Sequence, residues 1–178
     1  PGESVRAITG YTENDTISFK AFLFDIPGNQ KEGTESASKL IIEETLPILS
    51  YISYKSNFTD TTLATVGHEI SLTFVASEII ETPTASILSN PGTVSDLSNN
   101  KWSALYIMQE SDSDGIIPFV IDTLTDIHGN PAEGETATTD GSTVTFDNTK
   151  PTLTTVSIAS DNADTTWAKV GDTLTVKF

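Results

Sequence analysis

The sequence predicts an all-β chain, and within it an antiparallel β-sandwich, on three observations. Apolar residues recur with a period of two, turn-forming clusters interrupt the chain at short intervals, and a stretch of about a hundred residues repeats itself.

Leu49 and Tyr51 followed by Ile52 and Tyr54 predict a first strand with a kink, because the alternation changes face once between them. Ile70, Leu72 and Phe74 alternate cleanly, as do Trp102, Ala104, Tyr106 and Met108, so both runs read as half-buried strands. Further strands are expected near 84–88, 117–124 and 143–146. Turn chemistry separates them at Asn90-Pro91-Gly92, Asp112-Ser113-Asp114-Gly115, His128-Gly129-Asn130 and Asp140-Gly141. The nearest helical candidate, 36–44, aligns with the strand around Val144 and is read as extended. About seven short strands in about 100 residues fit a two-sheet sandwich of immunoglobulin type.

Residues 47–74 lie over residues 151–178 at a constant offset of 104, with eleven of 28 positions identical, among them Pro47/Pro151, Asp60/Asp164, Gly67/Gly171 and Phe74/Phe178. Asp25-Ile26-Pro27-Gly28-Asn29 lies over Asp126-Ile127-His128-Gly129-Asn130 at an offset of 101. The chain therefore reads as the C-terminal part of one repeat (1–44), a complete repeat (45–148) and the N-terminal part of a third (149–178), as in an excerpt from a longer array.

The block 149–160, followed by 168–178, resembles the opening of the bacterial Ig-like repeats of large surface proteins. Phe74 to Glu78, Trp102 to Ala104, Asp126 to Asn130 and Ala137 to Asp147 resemble the rest of that repeat, in order. The resemblance implies an Ig-like sandwich in a secreted or cell-surface protein, commonly an adhesin or its stalk. The first piece departs from the pattern, with Ser38-Lys39-Leu40-Ile41-Ile42-Glu43 where the repeat has a Thr/Gly-rich run.

Composition narrows the function classes. The 178 residues carry 25 acidic and 9 basic side chains, a net charge of −16, which leaves no basic cluster for nucleic acid or anionic lipid. Thr and Ser are abundant and cysteine is absent, removing disulfides, thiolate metal sites and thiol nucleophiles together. No apolar run of 18 residues occurs, and Pro1-Gly2-Glu3-Ser4 has no basic or apolar leader character.

No catalytic constellation is evident, so a non-catalytic protein is expected. His68 stands where the third copy has Asp172, and His128 where the first has Pro27; both read as exposed turn residues. Calcium is the more serious chemistry, because it takes oxygen ligands and the loops are rich in Asp, Glu and Asn. In a sandwich entered at one pole and left at the other, Glu43, Glu78, Asp126 and Asn130 would converge at the first junction. Asp60, Asp112, Asp114 and Asp147 would gather at the opposite pole. The plainer reading makes these acids solvated turn formers that keep the chain soluble. The triplets Asn14-Asp15-Thr16 and Asn57-Phe58-Thr59 match glycan acceptors, a pattern that a Thr/Ser-rich chain also produces by chance. Trp102 and Trp167 are expected to be packed aromatics.

The expected function is a structural or adhesive segment of an extracellular surface protein, a stalk or spacer whose partners are neighbouring repeats, with calcium as a stiffening ion. Two alternatives remain open: a filament subunit joined by strand exchange between the partial repeats, and a carbohydrate- or protein-binding module. A shared sandwich built from the two partial pieces would lack its middle strands.

Overall fold

Alternation along the chain sets its sheets. The computed structural model describes residues 9–122 and 124–178, and none of these is helical. The first piece forms β1 (Thr16–Ile17), β2 (Lys20–Phe24), β3 (Gln30–Glu35) and β4 (Leu40–Ile41). The complete repeat follows with β5 (Leu49–Ser56), β6 (Leu63–Ala64), β7 (Glu69–Ala76), β8 (Ala85–Ile87), β9 (Asn90–Pro91) and β10 (Thr93–Asp96). It continues with β11 (Lys101–Ile107), β12 (Gly115–Ile116), β13 (Phe119–Ile121), β14 (Leu124–Thr125), β15 (Pro131–Ala132) and β16 (Thr145–Phe146). The last piece is the hairpin β17 (Ser157–Ser160) and β18 (Leu174–Lys177).

In the complete repeat the main sheet runs β10-β11-β7-β5, antiparallel throughout. Its inward residues Ile52, Tyr54, Ile70, Leu72, Phe74 and Ala104 join Ile87, Phe119, Ile121, Phe146 and Val144, the residue before β16, in one core. The Tyr54 and Phe119 rings lie 5.3 Å apart within it. The kink expected in the first strand is a bulge between Leu49 and Tyr51, which lets Leu49 and Ile52 both turn toward the core. The free edge of β5 is closed by side chains: Ile52 N donates to Thr139 Oγ1 (2.9 Å) and Tyr54 N to Ser142 Oγ (2.9 Å).

Three features differ from expectation. The reversal placed at Asn90-Pro91-Gly92 lies instead at Leu88 and Ser89, with φ of 52° and 63°, and Asn90–Pro91 pairs with β8. Positive φ at both central positions is the type I′ form of a two-residue hairpin turn, and the Asn90 amide holds it by donating to the Leu88 carbonyl and the Tyr106 hydroxyl. One ladder is parallel: Thr145 pairs with Leu63 and Phe146 with Ala64, so β16 leaves the repeat in the direction in which β6 runs. Trp102 is packed, but Trp167 is 72% exposed, and among the described residues no strand pairs beside it.

The repetition seen in sequence is a repetition of geometry. Ser53, Tyr54, Lys55 and Ser56 pair with Thr73, Leu72, Ser71 and Ile70, and 104 positions on Ser157 to Ser160 pair with Lys177 to Leu174 in the same register. The Ser56 hydroxyl donates to the Leu63 carbonyl, as Ser160 does to Trp167. Asp60 caps Thr62 as Asp164 caps Thr166. His68 Nδ1 accepts from Thr65 N where Asp172 accepts from Lys169 N, so an imidazole and a carboxylate do one job in one turn. His68 also stacks on Phe58, with ring centroids 5.0 Å apart.

Candidate functional site at the repeat junction

The loop Asp126–Asn130 joins β14 to β15. Asp126 N donates to the Asn130 carbonyl, and Gly129 takes a φ of 97° that a side chain would oppose. Asp126 Oδ1 accepts from His128 N and Asn130 N, each at 2.8 Å, and Oδ2 accepts from Asn130 Nδ2 at 2.9 Å. The first copy builds the same loop: Asp25 Oδ1 accepts from Asn29 N at 2.7 Å and Oδ2 from Asn29 Nδ2 at 2.8 Å. The Asp-to-Asn spacing is thus a loop-closing device in both copies.

Glu43, just beyond β4, meets that amide. Asn130 Nδ2 donates to the Glu43 backbone carbonyl at 3.3 Å and also to Glu43 Oε2. His128 Nδ1 lies 3.2 Å from Glu43 Oε2 and 3.5 Å from Asp126 Oδ2. Glu43, Asp126 and His128 place one ligand atom each within 4.8 Å of one another. Beside them an open depression of about 460 Å³ is lined by Ile41, Ile42, Glu43, Glu44, His128 and Asn130.

Asp126 is wholly buried. Burial is the largest influence on its carboxyl and pushes the pKa up, but the donors on Asn130 and His128 together outweigh it and hold the group below the usual carboxylate range. Glu78 is shifted the other way, raised first by burial and then by the charges of Glu43 and Asp126. Of the four residues expected at this junction, the structure brings Glu43, Asp126 and Asn130 into contact, and Glu78 stands within reach of their field. His128 is an exposed turn residue, as expected, and its place in the Asp126–Asn130 loop also brings Nδ1 beside the Glu43 and Asp126 carboxylates.

The opposite pole is organised differently. Asp114 Oδ1 accepts from Asn148 N at 2.7 Å and Oδ2 from Thr149 Oγ1 at 2.6 Å, while Asp147 Oδ1 accepts from Thr149 N at 2.8 Å. Asp112 is turned to the Tyr106 hydroxyl and Gln109 N, and Asp60 to Thr62. Among the described residues these four acids do not assemble into one ion-sized group, because each is drawn to a nearby backbone or hydroxyl donor. Asp114 and Asp147 instead pin the exit segment. Glu13 and Glu43 do the same one repeat earlier, accepting from Glu44 N and Thr45 N.

As a donor set the first junction offers two carboxylates, an amide and an imidazole nitrogen. Calcium would take the oxygens and pass over His128. As folded, the amide nitrogen of Asn130 already bridges the two carboxylates. Compared with known proteins, the chain matches no family model and no curated sequence.

Proposed function

We propose that the chain is a run of tandem immunoglobulin-like repeats, divided as 1–44, 45–148 and 149–178, that serves as a non-catalytic spacer of an extracellular surface protein. The observation that carries this reading is the junction. A residue just past the last strand of one repeat is hydrogen-bonded, through backbone and side chain, to a loop of the next. The exit segment is clamped by a second carboxylate in both copies. Such a joint restricts bending without a covalent crosslink, which is what a spacer needs. The resemblance to bacterial surface repeats supports the extracellular setting.

Backbone amide relaxation by NMR tests it: residues 9–44 and 45–148 should tumble with one correlation time, and Asn130→Ala should separate them. Independent tumbling in the parent chain would sink the spacer reading. A second reading is favoured by the convergence of two carboxylates from two repeats. In it, a calcium ion replaces the Asn130 amide nitrogen as the bridge and stiffens the joint further. Calcium should then raise the Tm of the chain by mass action, chelator should reverse it, and Glu43→Gln should abolish the response.

A further inference from the structure

The imidazole of His128 is surplus to the loop that carries it. In the first copy the same Asp-to-Asn closure forms with Pro27 at that position, so the fold of the loop asks nothing of the ring. The other histidine, His68, has a local task, because its Nδ1 accepts from Thr65 N. His128 Nδ1 instead faces Glu43 Oε2 at 3.2 Å and Asp126 Oδ2 at 3.5 Å, one carboxylate from each of two repeats.

Those separations have a meaning in coordination chemistry. Zinc bonds of about 2.0–2.1 Å, set at the tetrahedral angle, hold neighbouring ligand atoms roughly 3.3–3.4 Å apart. Calcium asks for more oxygens, about six to eight, and gains nothing from a ring nitrogen. The ligands are also oriented in advance: Asp126 Oδ1 accepts from His128 N and Asn130 N, which fixes the carboxylate and the backbone that bears the ring. Asn130 Nδ2 touches the same two carboxylate oxygens that face Nδ1. Each oxygen has a second lone pair, so the amide bridge and an ion can share them. The open depression lined by Glu43, His128 and Asn130 gives room for water as a fourth ligand. Charge favours a cation as well. Glu78 and Glu13 add their fields on this side, and among the described residues no lysine or arginine forms an ion pair with any of these acids.

We propose that the joint between residues 1–44 and 45–148 binds a tetrahedral divalent transition-metal ion, zinc in the first place, through Glu43 Oε2, Asp126 Oδ2 and His128 Nδ1. The proposal rests on the joint of the spacer reading and names an ion other than calcium for it. Zinc adds to the Asn130 bridge, where calcium would replace it. Two repeats then share one ion, and metal supply sets the stiffness of the joint.

Calorimetric titration of the metal-free full chain with Zn²⁺, in a large excess of calcium, tests it. A single zinc should bind per chain, and Co²⁺ in its place should give the intense visible absorption of a tetrahedral centre. His128→Ala and Glu43→Gln each remove a ligand. Each should weaken zinc binding by at least the roughly 10–100-fold that loss of an outer-shell partner costs. His68→Ala should leave zinc binding unchanged. The His128 side chain is half-exposed, so His128→Ala should keep the metal-free Tm of the parent. By NMR, zinc should shift the Nδ1 resonance of His128 far more than that of Nε2. No zinc binding, binding unchanged by His128→Ala, displacement of zinc by calcium, or an octahedral cobalt spectrum would overturn the proposal. Tumbling of the metal-free chain reads the joint itself, so one correlation time without zinc binding sinks the ion and spares the spacer.

Discussion

Asn130 donates through a single amide to both the backbone carbonyl and the side chain of Glu43, a residue 87 positions away in the preceding repeat. The same amide also reaches Asp126 Oδ2, so the fold of one loop and the attachment of one repeat to the next depend on the same atom.

Asn130→Ala should therefore do two things at once. It removes the bridge to Glu43 and strips a donor from a wholly buried carboxylate, and the Tm of the complete repeat should fall by roughly 3–6 °C. Asn29→Ala, in the matching loop of the first copy, touches no neighbouring repeat in the described structure and should leave that transition unmoved. Differential scanning calorimetry of the two variants separates these outcomes.

Phe74 and Phe178 are counterparts in sequence and opposites in environment, 0% and 84% exposed. Phe74→Ala should cost about 3–5 kcal/mol, as deletion of a core aromatic does. Phe178→Ala should change stability by less than about 0.5 kcal/mol. Urea unfolding at low protein concentration, followed through the buried Trp102, gives both numbers.

The edge of β5 is guarded by two hydroxyls and one backbone bond, from Thr139 N to the Ile52 carbonyl. Ser142→Ala leaves Tyr54 N without its acceptor and should destabilise the repeat by about 1–2 kcal/mol. Hydrogen exchange should quicken at the amides of Ile52 and Tyr54 before it does in β7. Uniform quickening would argue against this edge as the weak point.

Acid should act on the junction in two opposite stages. Glu78 has its folded pKa raised above the ordinary 4.5, so its protonation favours the native state and stability is gained as pH falls through that folded value. Asp126 has its folded pKa lowered below the ordinary 3.8, so its contribution is complete above that value and is lost as pH falls further. Tm against pH should pass a shallow maximum in mild acid and then drop. Glu78→Gln should remove the rise, and Asp126→Asn should flatten the fall.

Much of this architecture is legible in the residues themselves. Ile70-Leu72-Phe74 and Trp102-Ala104 announce the central strands because one side of each faces a core, and the 104-residue offset announces the hairpin register. What escaped was held by groups without an apolar signature. Strand β10 offers Val94 amid Thr93, Ser95 and Asp96, and pairs through its backbone. The Leu88–Ser89 turn hides behind a more conspicuous Asn90-Pro91-Gly92. At the junction, acidic types pointed to the correct pole, but which of them would meet depended on the amide of Asn130. At the other pole, Asp60 and Asp112 were claimed by donors two to six residues away, a local competition that a long-range convergence argument does not weigh.

The final segment of the complete repeat runs in the same direction as its opening strands: Thr139 bonds Ile52, Ser142 bonds Tyr54, Thr145 faces Leu63 and Phe146 faces Ala64. Tension applied through the neighbouring repeats pulls these two parallel stretches from opposite ends. The contacts between them are then loaded in shear, all together, and do not peel apart one by one from an end. A chain stretched from its two ends would meet its greatest resistance at this seam.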